Sequence, residues 1–153
     1  MPPHTYGTFT KALQAGKLEP AYYFLGAENV LKDEATTALL DKVLDPGLRD
    51  FNLDIRSAQQ LEPEDVLSLC TTLPMMADRR VVVVRDVEAW KRKTRGKKAV
   101  LEYLQKPIPE TLLVLVQGAA SDAKDDTPDT DLANHAYTIA FAELTGEEAT
   151  RWV

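Results

Sequence analysis

The chain of 153 residues has few of the residues that build disulfide frameworks or metal sites. It contains one cysteine, Cys70, and two histidines, His4 and His135. One cysteine cannot form an internal disulfide, and neither histidine has metal-ligand spacing to Cys70 or to the other histidine. The sequence therefore predicts no bound metal, and its cysteine usage fits the reducing cytoplasm.

The chain also lacks the long apolar runs that direct a protein to a membrane. No apolar run approaches the roughly 20 residues of a membrane helix, and no signal peptide is recognisable at the start. The fractions of apolar residues (44%) and charged residues (27%) are ordinary for a globular protein. These observations predict a cytoplasmic globular protein with no membrane contact and one main domain.

Charge is distributed unevenly along the chain. The net charge of −6 argues against a general nucleic-acid binder. Basic residues are concentrated at Lys91, Arg92, Lys93, Arg95, Lys97 and Lys98, and acidic residues at Asp122, Asp125, Asp126, Asp129 and Asp131. The simplest interpretation of each run is a solvated loop or helix face. Contact of the basic run with DNA or an acidic partner is the alternative, and a nucleic-acid module is the weakest hypothesis for the main function.

Hydrophobic spacing predicts alternating helices and strands. Helical spacing covers residues 6–18, 29–43, 63–70 and 87–104, the last with an interruption at 94–96. Strand patterns cover residues 21–25, 51–56, 81–84, 112–116 and 137–141. This alternation predicts an α/β fold with a five-stranded parallel sheet and helices on both faces.

The strand patterns also predict the order of the sheet. Strands 81–84 and 112–116 are apolar at every residue, which is typical of central strands, whereas strands 51–56 and 137–141 alternate, which suits edges. The order second, third, fourth, first, fifth satisfies both patterns. This is the order of the nucleotide-binding core of P-loop ATPases in the extended AAA family.

The first strand leads into a degenerate phosphate-binding loop. A working loop reads G-x-x-x-x-G-K-[ST] between a strand and a helix. Gly26 and Lys32 keep this spacing, but Leu31 replaces the second glycine and Asp33 replaces the hydroxyl residue. Leu31 restricts the close wrapping of phosphates by backbone N–H groups, and Asp33 places a carboxylate near their charge. A chance match of Gly26 and Lys32 is the alternative that the loop alone leaves open.

The metal-binding position at the end of the third strand is also altered. A P-loop ATPase carries an acidic residue there to hold Mg²⁺. Here Arg85 follows the apolar run, and Asp86 comes one residue late, which points its side chain to the other face of a strand. Two degenerate motifs predict no ATPase activity and no cofactor. A divergent P-loop ATPase or kinase that uses Lys32 is the alternative.

Four stretches carry a family resemblance: residues 22–28, 51–54, 73–84 and 151–153. Together they resemble the N-terminal domain of the delta subunit of the bacterial DNA polymerase III clamp loader. The resemblance implies a non-catalytic part of the DNA polymerase III holoenzyme, a DNA-directed DNA polymerase. It also implies binding to the sliding clamp (the beta subunit) and help in opening that ring for loading onto DNA during replication.

The resemblance further implies how the chain is organised and what it assembles with. Residues 1–144 correspond to the AAA-like core domain. Residues 145–153 open with capping-box spacing and correspond to the start of a junction or lid helix, with the remainder of a longer chain absent. The alternative is a short terminal helix that packs Trp152 against the sheet. In the family, those C-terminal parts join the gamma/tau and delta prime subunits, and DNA is reached indirectly through the assembled loader.

The family's clamp contact falls on Met75 and Met76, preceded by Leu73 and Pro74. Pro74 ends the preceding helix, which predicts that both methionines lie in a surface connection. Methionine is flexible and polarizable, which suits filling a partner's pocket. Capping of the domain's own core is the alternative. Family members often have an aromatic residue in this pair, so two methionines predict weaker clamp binding.

Overall fold

The computed structural model describes residues 4–26, 28–91, 93–118 and 129–141, apart from the side chain of Thr94. In these ranges the α-helices are α1 (Tyr6–Gln14), α2 (Asn29–Val43), α3 (Arg49–Asn52), α4 (Asp65–Thr71), α5 (Thr94–Gln105) and α6 (Thr130–His135). The strands are β1 (Ala21–Leu25), β2 (Leu53–Ser57), β3 (Arg80–Arg85), β4 (Thr111–Val116) and β5 (Tyr137–Ala140). Short 3-10 helices cover Pro46–Leu48 and Val87–Trp90.

The strands form one parallel sheet in the order β2-β3-β4-β1-β5, which confirms the predicted topology. The apolar side chains of β3 and β4 are buried on both faces of the sheet, as expected for central strands. Beyond the edge strand β5, His4 forms an isolated parallel bridge with Ile139. Its N–H donates to Thr138 and its carbonyl accepts from Ala140.

Helices cover both faces of the sheet, and each face has its own apolar core. On one face, Phe9 of α1 and Leu39 of α2 pack with Tyr22 and Phe24 of β1. On the other face, residues of α4, α5 and α6 belong to a core that includes the buried Trp90. Alternate residues of β1 therefore serve different cores, which is why the strand is buried along its whole length. Among the described helices, none has both the length and the apolar character needed to cross a membrane.

Several element boundaries differ from those that the sequence predicts. The first helix ends at Gln14, and Gly16 follows with a φ of +76°, a left-handed conformation that favours glycine. The second strand begins at Leu53, because Phe51 belongs to the short helix α3. The sequence predicts an interruption at residues 94–96 of the helix 87–104. In the structure the interruption comes before Thr94, where α5 begins. Gly96 lies inside α5, where a Cβ atom would meet the Glu64 carboxylate at 1.8 Å.

Two buried core side chains that ionise at alkaline pH, Cys70 and Tyr23, make the stability of the fold depend on pH. Burial raises the pKa of the Cys70 thiol from 9.0 to about 12 and the pKa of Tyr23 to about 12. Since the folded state holds these protons more tightly, their stabilising contribution is complete below pH 9.0 and is lost as the pH rises toward 12. Between pH 9 and 10, where the unfolded thiol ionises, we expect the free energy of unfolding to fall by roughly 1.4 kcal/mol per pH unit.

Chemical unfolding at a series of alkaline pH values measures this slope. Cys70→Ala should flatten it between about pH 9 and 10, because the thiol no longer ionises on unfolding. An identical slope for both proteins would show that Cys70 is not the group responsible.

Candidate functional site

The lysine of the degenerate loop points into the protein. Lys32 lies in the first turn of α2, and only 1% of its surface is exposed. Its Nζ donates to the carbonyl oxygen of Gly26 at 2.7 Å and to that of Gln117 at 2.5 Å. In a working P-loop this ammonium reaches the phosphates of the nucleotide. Here it joins the chain segments that follow β1 and β4.

Close packing also requires a glycine at position 26, whose carbonyl oxygen accepts from Lys32. Its φ is +111°, and a Cβ atom would lie 2.3 Å from the carbonyl oxygen of Phe141. That oxygen also accepts a hydrogen bond from the N–H of Glu28 at 3.2 Å. The glycine that matches the start of the motif therefore allows close contact between the loop and the end of β5.

The metal-ligand position at the end of β3 carries a cation that faces an acid. Arg85 lies on the α2 side of the sheet, where its guanidinium is 4.0 Å from the Asp33 carboxylate. Asp86 has a φ of +60°, and its carboxylate accepts a hydrogen bond from the Ser57 hydroxyl at 2.9 Å. Within the described parts of the chain, no group of three or more histidine, cysteine or acidic residues could hold a metal ion.

A cavity of about 270 Å³ lies where a nucleotide site would be expected. Residues of opposite charge line it, and its full lining is Asn29, Lys32, Asp33, Arg85, Asp86, Val116 and Gly118. Lys32 is already bonded to two carbonyl oxygens, and Asp33 and Arg85 face each other. The cavity therefore presents little unopposed positive charge to a phosphate group.

A buried polar network extends from this cavity to α5 and α6. The Tyr23 hydroxyl donates to the Gln117 side chain and accepts from the N–H of Asp129 at 3.0 Å. Asp129 also forms an ion pair with Lys97 at 2.9 Å, and both side chains are more than nine-tenths buried. Two residues that the sequence placed in solvated charge runs are thus internal. The helical spacing of Lys97 with the apolar Val100 and Leu104 could have indicated this.

Asp129 has a second role as the N-cap of α6. Its Oδ1 accepts hydrogen bonds from the N–H groups of Asp131 and Leu132 at 3.1 and 3.4 Å. Asp131 lies in α6 and is exposed, while Asp122, Asp125 and Asp126 lie outside the described residues. The two described residues of the acidic run therefore lie in different environments.

The predicted basic surface is also divided. Lys97 is buried, so the prediction of an accessible contact is wrong for this residue. Lys93 pairs with Glu62 at 2.9 Å, and Arg92 lies outside the described residues. Arg95 and Lys98 are exposed, and Lys91 is half-buried. The five described residues thus do not form one continuous face.

The predicted clamp contact is a short apolar loop at the opposite end of the sheet. We call residues Leu73, Pro74, Met75 and Met76 the methionine loop. Leu73 is 76% exposed, Met75 is 57% exposed and Met76 is 85% exposed. The predicted surface position is confirmed, and the alternative that the methionines cap the core is wrong. Because the loop precedes β3 while the degenerate P-loop follows β1, the two lie at opposite ends of the parallel strands.

A buried asparagine holds the main chain of this loop. The Asn52 side chain donates to the carbonyl oxygen of Met75 at 2.8 Å and accepts from the N–H of Met75 at 2.7 Å. It also donates to the carbonyl oxygen of Leu48 at 3.0 Å. The role of Asn52 was not predictable from the sequence, because a tertiary contact between positions 52 and 75 leaves no periodic signal.

Arg80 connects the chain segments next to Asn52 and the methionine loop. Its guanidinium donates to the carbonyl oxygens of Leu69 at 3.1 Å and Phe51 at 3.4 Å, and it forms an ion pair with Asp54. Burial lowers the pKa of Arg80 from its usual value. The end of α4, the end of α3 and the start of β3 are therefore joined by one side chain.

Comparison with known proteins identifies relatives of this chain. The family model described as "DNA polymerase III, delta subunit" matches residues 22–140. The DNA polymerase III subunit delta of Bacillus subtilis (strain 168) is 28% identical over 146 residues, which cover 92% of this chain and 42% of that protein.

Solved structures agree with these sequence matches. The Bacillus subtilis DNA clamp loader delta protein has a TM-score of 0.82 at 25% identity, covering 97% of this chain and 45% of that chain. A Thermotoga maritima protein described as related to the DNA polymerase III gamma subunit has a TM-score of 0.63 at 14% identity, covering 94% and 47% respectively. The second match shows a shared fold alone, that of AAA-type P-loop proteins. The chain spans less than half the length of these relatives.

Proposed function

Because this chain belongs to the family of DNA polymerase III delta subunits, we propose that it binds the sliding clamp and helps to open the ring for loading onto DNA. The methionine loop is the contact in this proposal. Its assembly partners are the gamma/tau and delta prime subunits, which it meets through parts of the protein beyond this chain. DNA is then reached through the assembled loader.

The observation that carries the proposal is the exposure of three large apolar side chains on four consecutive residues. Leu73, Met75 and Met76 are each more than half exposed, while the residues around them are anchored. A contiguous exposed apolar surface of this kind is typical of protein–protein contacts. A few such side chains can supply most of the binding energy when they enter a partner's pocket.

The proposed role is non-catalytic. The ammonium of Lys32 is engaged by backbone carbonyls, and Arg85 stands where a P-loop ATPase places a metal ligand. A divergent ATPase or kinase would have to withdraw Lys32 from these carbonyls before it could bind phosphate. Clamp opening needs no chemistry in this subunit, since a protein opens a ring by binding the open form more tightly than the closed form.

The proposal predicts that Met75→Ala/Met76→Ala greatly weakens clamp binding. Removing two buried interface anchors should raise the Kd for the sliding clamp of the same organism by about thirtyfold or more. Surface plasmon resonance or calorimetry measures the change. The fold should be unaffected, because both side chains are exposed in the free protein.

Val30→Ala is the matched control for this experiment. Val30 is an apolar side chain that is 66% exposed, but it lies on α2, away from the methionine loop. Its substitution should leave clamp affinity within about twofold, as is usual outside the energetic centre of an interface. Clamp binding that survives in the methionine double variant would place the contact elsewhere. Failure of the folded parent chain to bind the clamp would overturn the proposed function itself.

A further inference from the structure

We infer that Asn52 is a positioning residue for the methionine loop, and this inference rests on the proposed function. Its buried side chain fixes the main chain of Met75 and thereby presents both methionines in one conformation before the clamp arrives. Asn52 is fully buried, so it acts on the partner only through the loop that it holds.

The chemistry of the contact is specific to a carboxamide. Met75 offers one N–H and one carbonyl oxygen, and Asn52 satisfies both from a single planar group. The second amide hydrogen of Asn52 is used by the carbonyl oxygen of Leu48. A carboxylate could accept from the N–H of Met75 but could not donate to either carbonyl, and an aliphatic side chain could do neither.

The loop depends on this restraint because its own side chains supply little packing. Leu73, Met75 and Met76 extend into solvent, and the loop contains no helix or strand. Met76 also has a φ of +58°, in the left-handed region that residues other than glycine rarely occupy. Such a conformation persists only where the surrounding structure imposes it. In the described structure, the Asn52 hydrogen bonds act on the residue immediately before Met76.

The frame around Asn52 is itself fixed. Arg80 bonds to the carbonyl oxygen of Phe51, the residue next to Asn52, and to that of Leu69 near the end of α4. The same arginine pairs with Asp54 in β2. Asn52 is therefore a rigid point from which the loop can be held, and not a second mobile element.

A fixed loop binds more tightly because its ordering cost is met during folding and not during association. Without the carboxamide, the loop would occupy its binding conformation for only a fraction of the time. The apparent Kd would then rise in inverse proportion to that fraction. Part of the loss should therefore appear as slower association with the clamp.

Asn52→Ala and the isosteric Asn52→Asp test this inference. We expect each to weaken clamp binding by roughly tenfold, with a slower association rate in surface plasmon resonance. The amide hydrogen of Met75 should also exchange faster with solvent in Asn52→Ala, because its acceptor is lost. Asn52→Asp retains the shape of the side chain and provides the measurement if Asn52→Ala does not fold.

Thr111→Val is the matched control for a loss of stability alone. Its hydroxyl donates to the carbonyl oxygen of Cys70 at 2.7 Å and is buried, as Asn52 is, but it does not bond to Met75. The variant should lower the melting temperature while leaving clamp affinity within about twofold. An equal loss of affinity in Thr111→Val would overturn the inference, because stability and not loop position would then explain the effect.

A double-mutant cycle completes the test. If Asn52 acts through the methionine loop, Asn52→Ala should cost much less affinity in a Met75→Ala background than in the parent. Normal affinity of the Asn52 variants, together with loss of binding in Met75→Ala/Met76→Ala, would overturn the inference and leave the proposed function intact. Unchanged affinity in the methionine double variant would overturn the proposed contact, and with it the role of Asn52.

Discussion

Asp129→Ala should lower the free energy of unfolding by about 3 to 5 kcal/mol, the cost of leaving one partner of a buried ion pair alone. Lys97 would lose its buried partner in a site where its side chain is only 8% exposed. The variant also removes the N-cap of α6, since Asp129 accepts the N–H groups of Asp131 and Leu132. Urea unfolding followed by circular dichroism measures the loss.

Asp131→Ala is the matched control, because Asp131 is the other acid near Lys97. Its carboxylate lies 3.8 Å from Nζ, but its side chain is 58% exposed. Solvent screens such a pair, so the substitution should cost less than about 1 kcal/mol. Adding Lys97→Met to Asp129→Ala should recover part of the loss by removing the unpaired charge. Equal effects of the Asp129 and Asp131 variants would contradict the assignment of the buried pair.

Lys32→Met should destabilise the protein by about 3 kcal/mol, because it removes a charged donor from two carbonyl oxygens. Methionine retains the apolar stem of lysine, so the loss should come mainly from the hydrogen bonds to Gly26 and Gln117. Lys42→Met is the control on the same helix. Lys42 is exposed, and its substitution should change the free energy of unfolding by about 0.5 kcal/mol or less.

The same variant separates the two interpretations of the degenerate loop. If Lys32 is an internal tie, Mg²⁺ and ATP should leave the melting temperature of the parent unchanged, since a ligand that does not bind cannot shift folding. A melting temperature that rises with ATP in the parent but not in Lys32→Met would support the ATPase or kinase alternative. A small effect of Lys32→Met on the free energy of unfolding would also support the ATPase or kinase alternative.

The sheet was predictable because its signal is carried by neighbouring residues. The fully apolar runs at Val81–Val84 and Leu112–Val116 identify central strands, and the structure places β3 and β4 at those positions. The surface position of Met75 and Met76 was also predictable, because Pro74 prevents the preceding helix from continuing. In each case the deciding interaction is local in the sequence.

The polar contacts that organise the candidate site were not predictable in the same way. Lys97 and Asp129 belong to charge runs, and only the fold brings them together across 32 positions. Asn52 follows an apolar residue in an alternating pattern that suggested a strand, but α3 places it inside, facing Met75. The position of a buried polar side chain is fixed by its hydrogen-bond partner. When that partner is far away in the sequence, no helical or strand period in the sequence reveals the contact.

The bridge between His4 and Ile139 has a practical consequence for immobilising the protein. The unpaired edge of a strand is a template for another chain, and at β5 the His4 main chain already occupies part of it. The methionine loop is tied through Asn52 to β2, the opposite edge strand of the sheet. Four strand spacings, or about 19 Å, separate these two edges. An attachment made on the His4 side would therefore lie at the sheet edge opposite to the methionine loop.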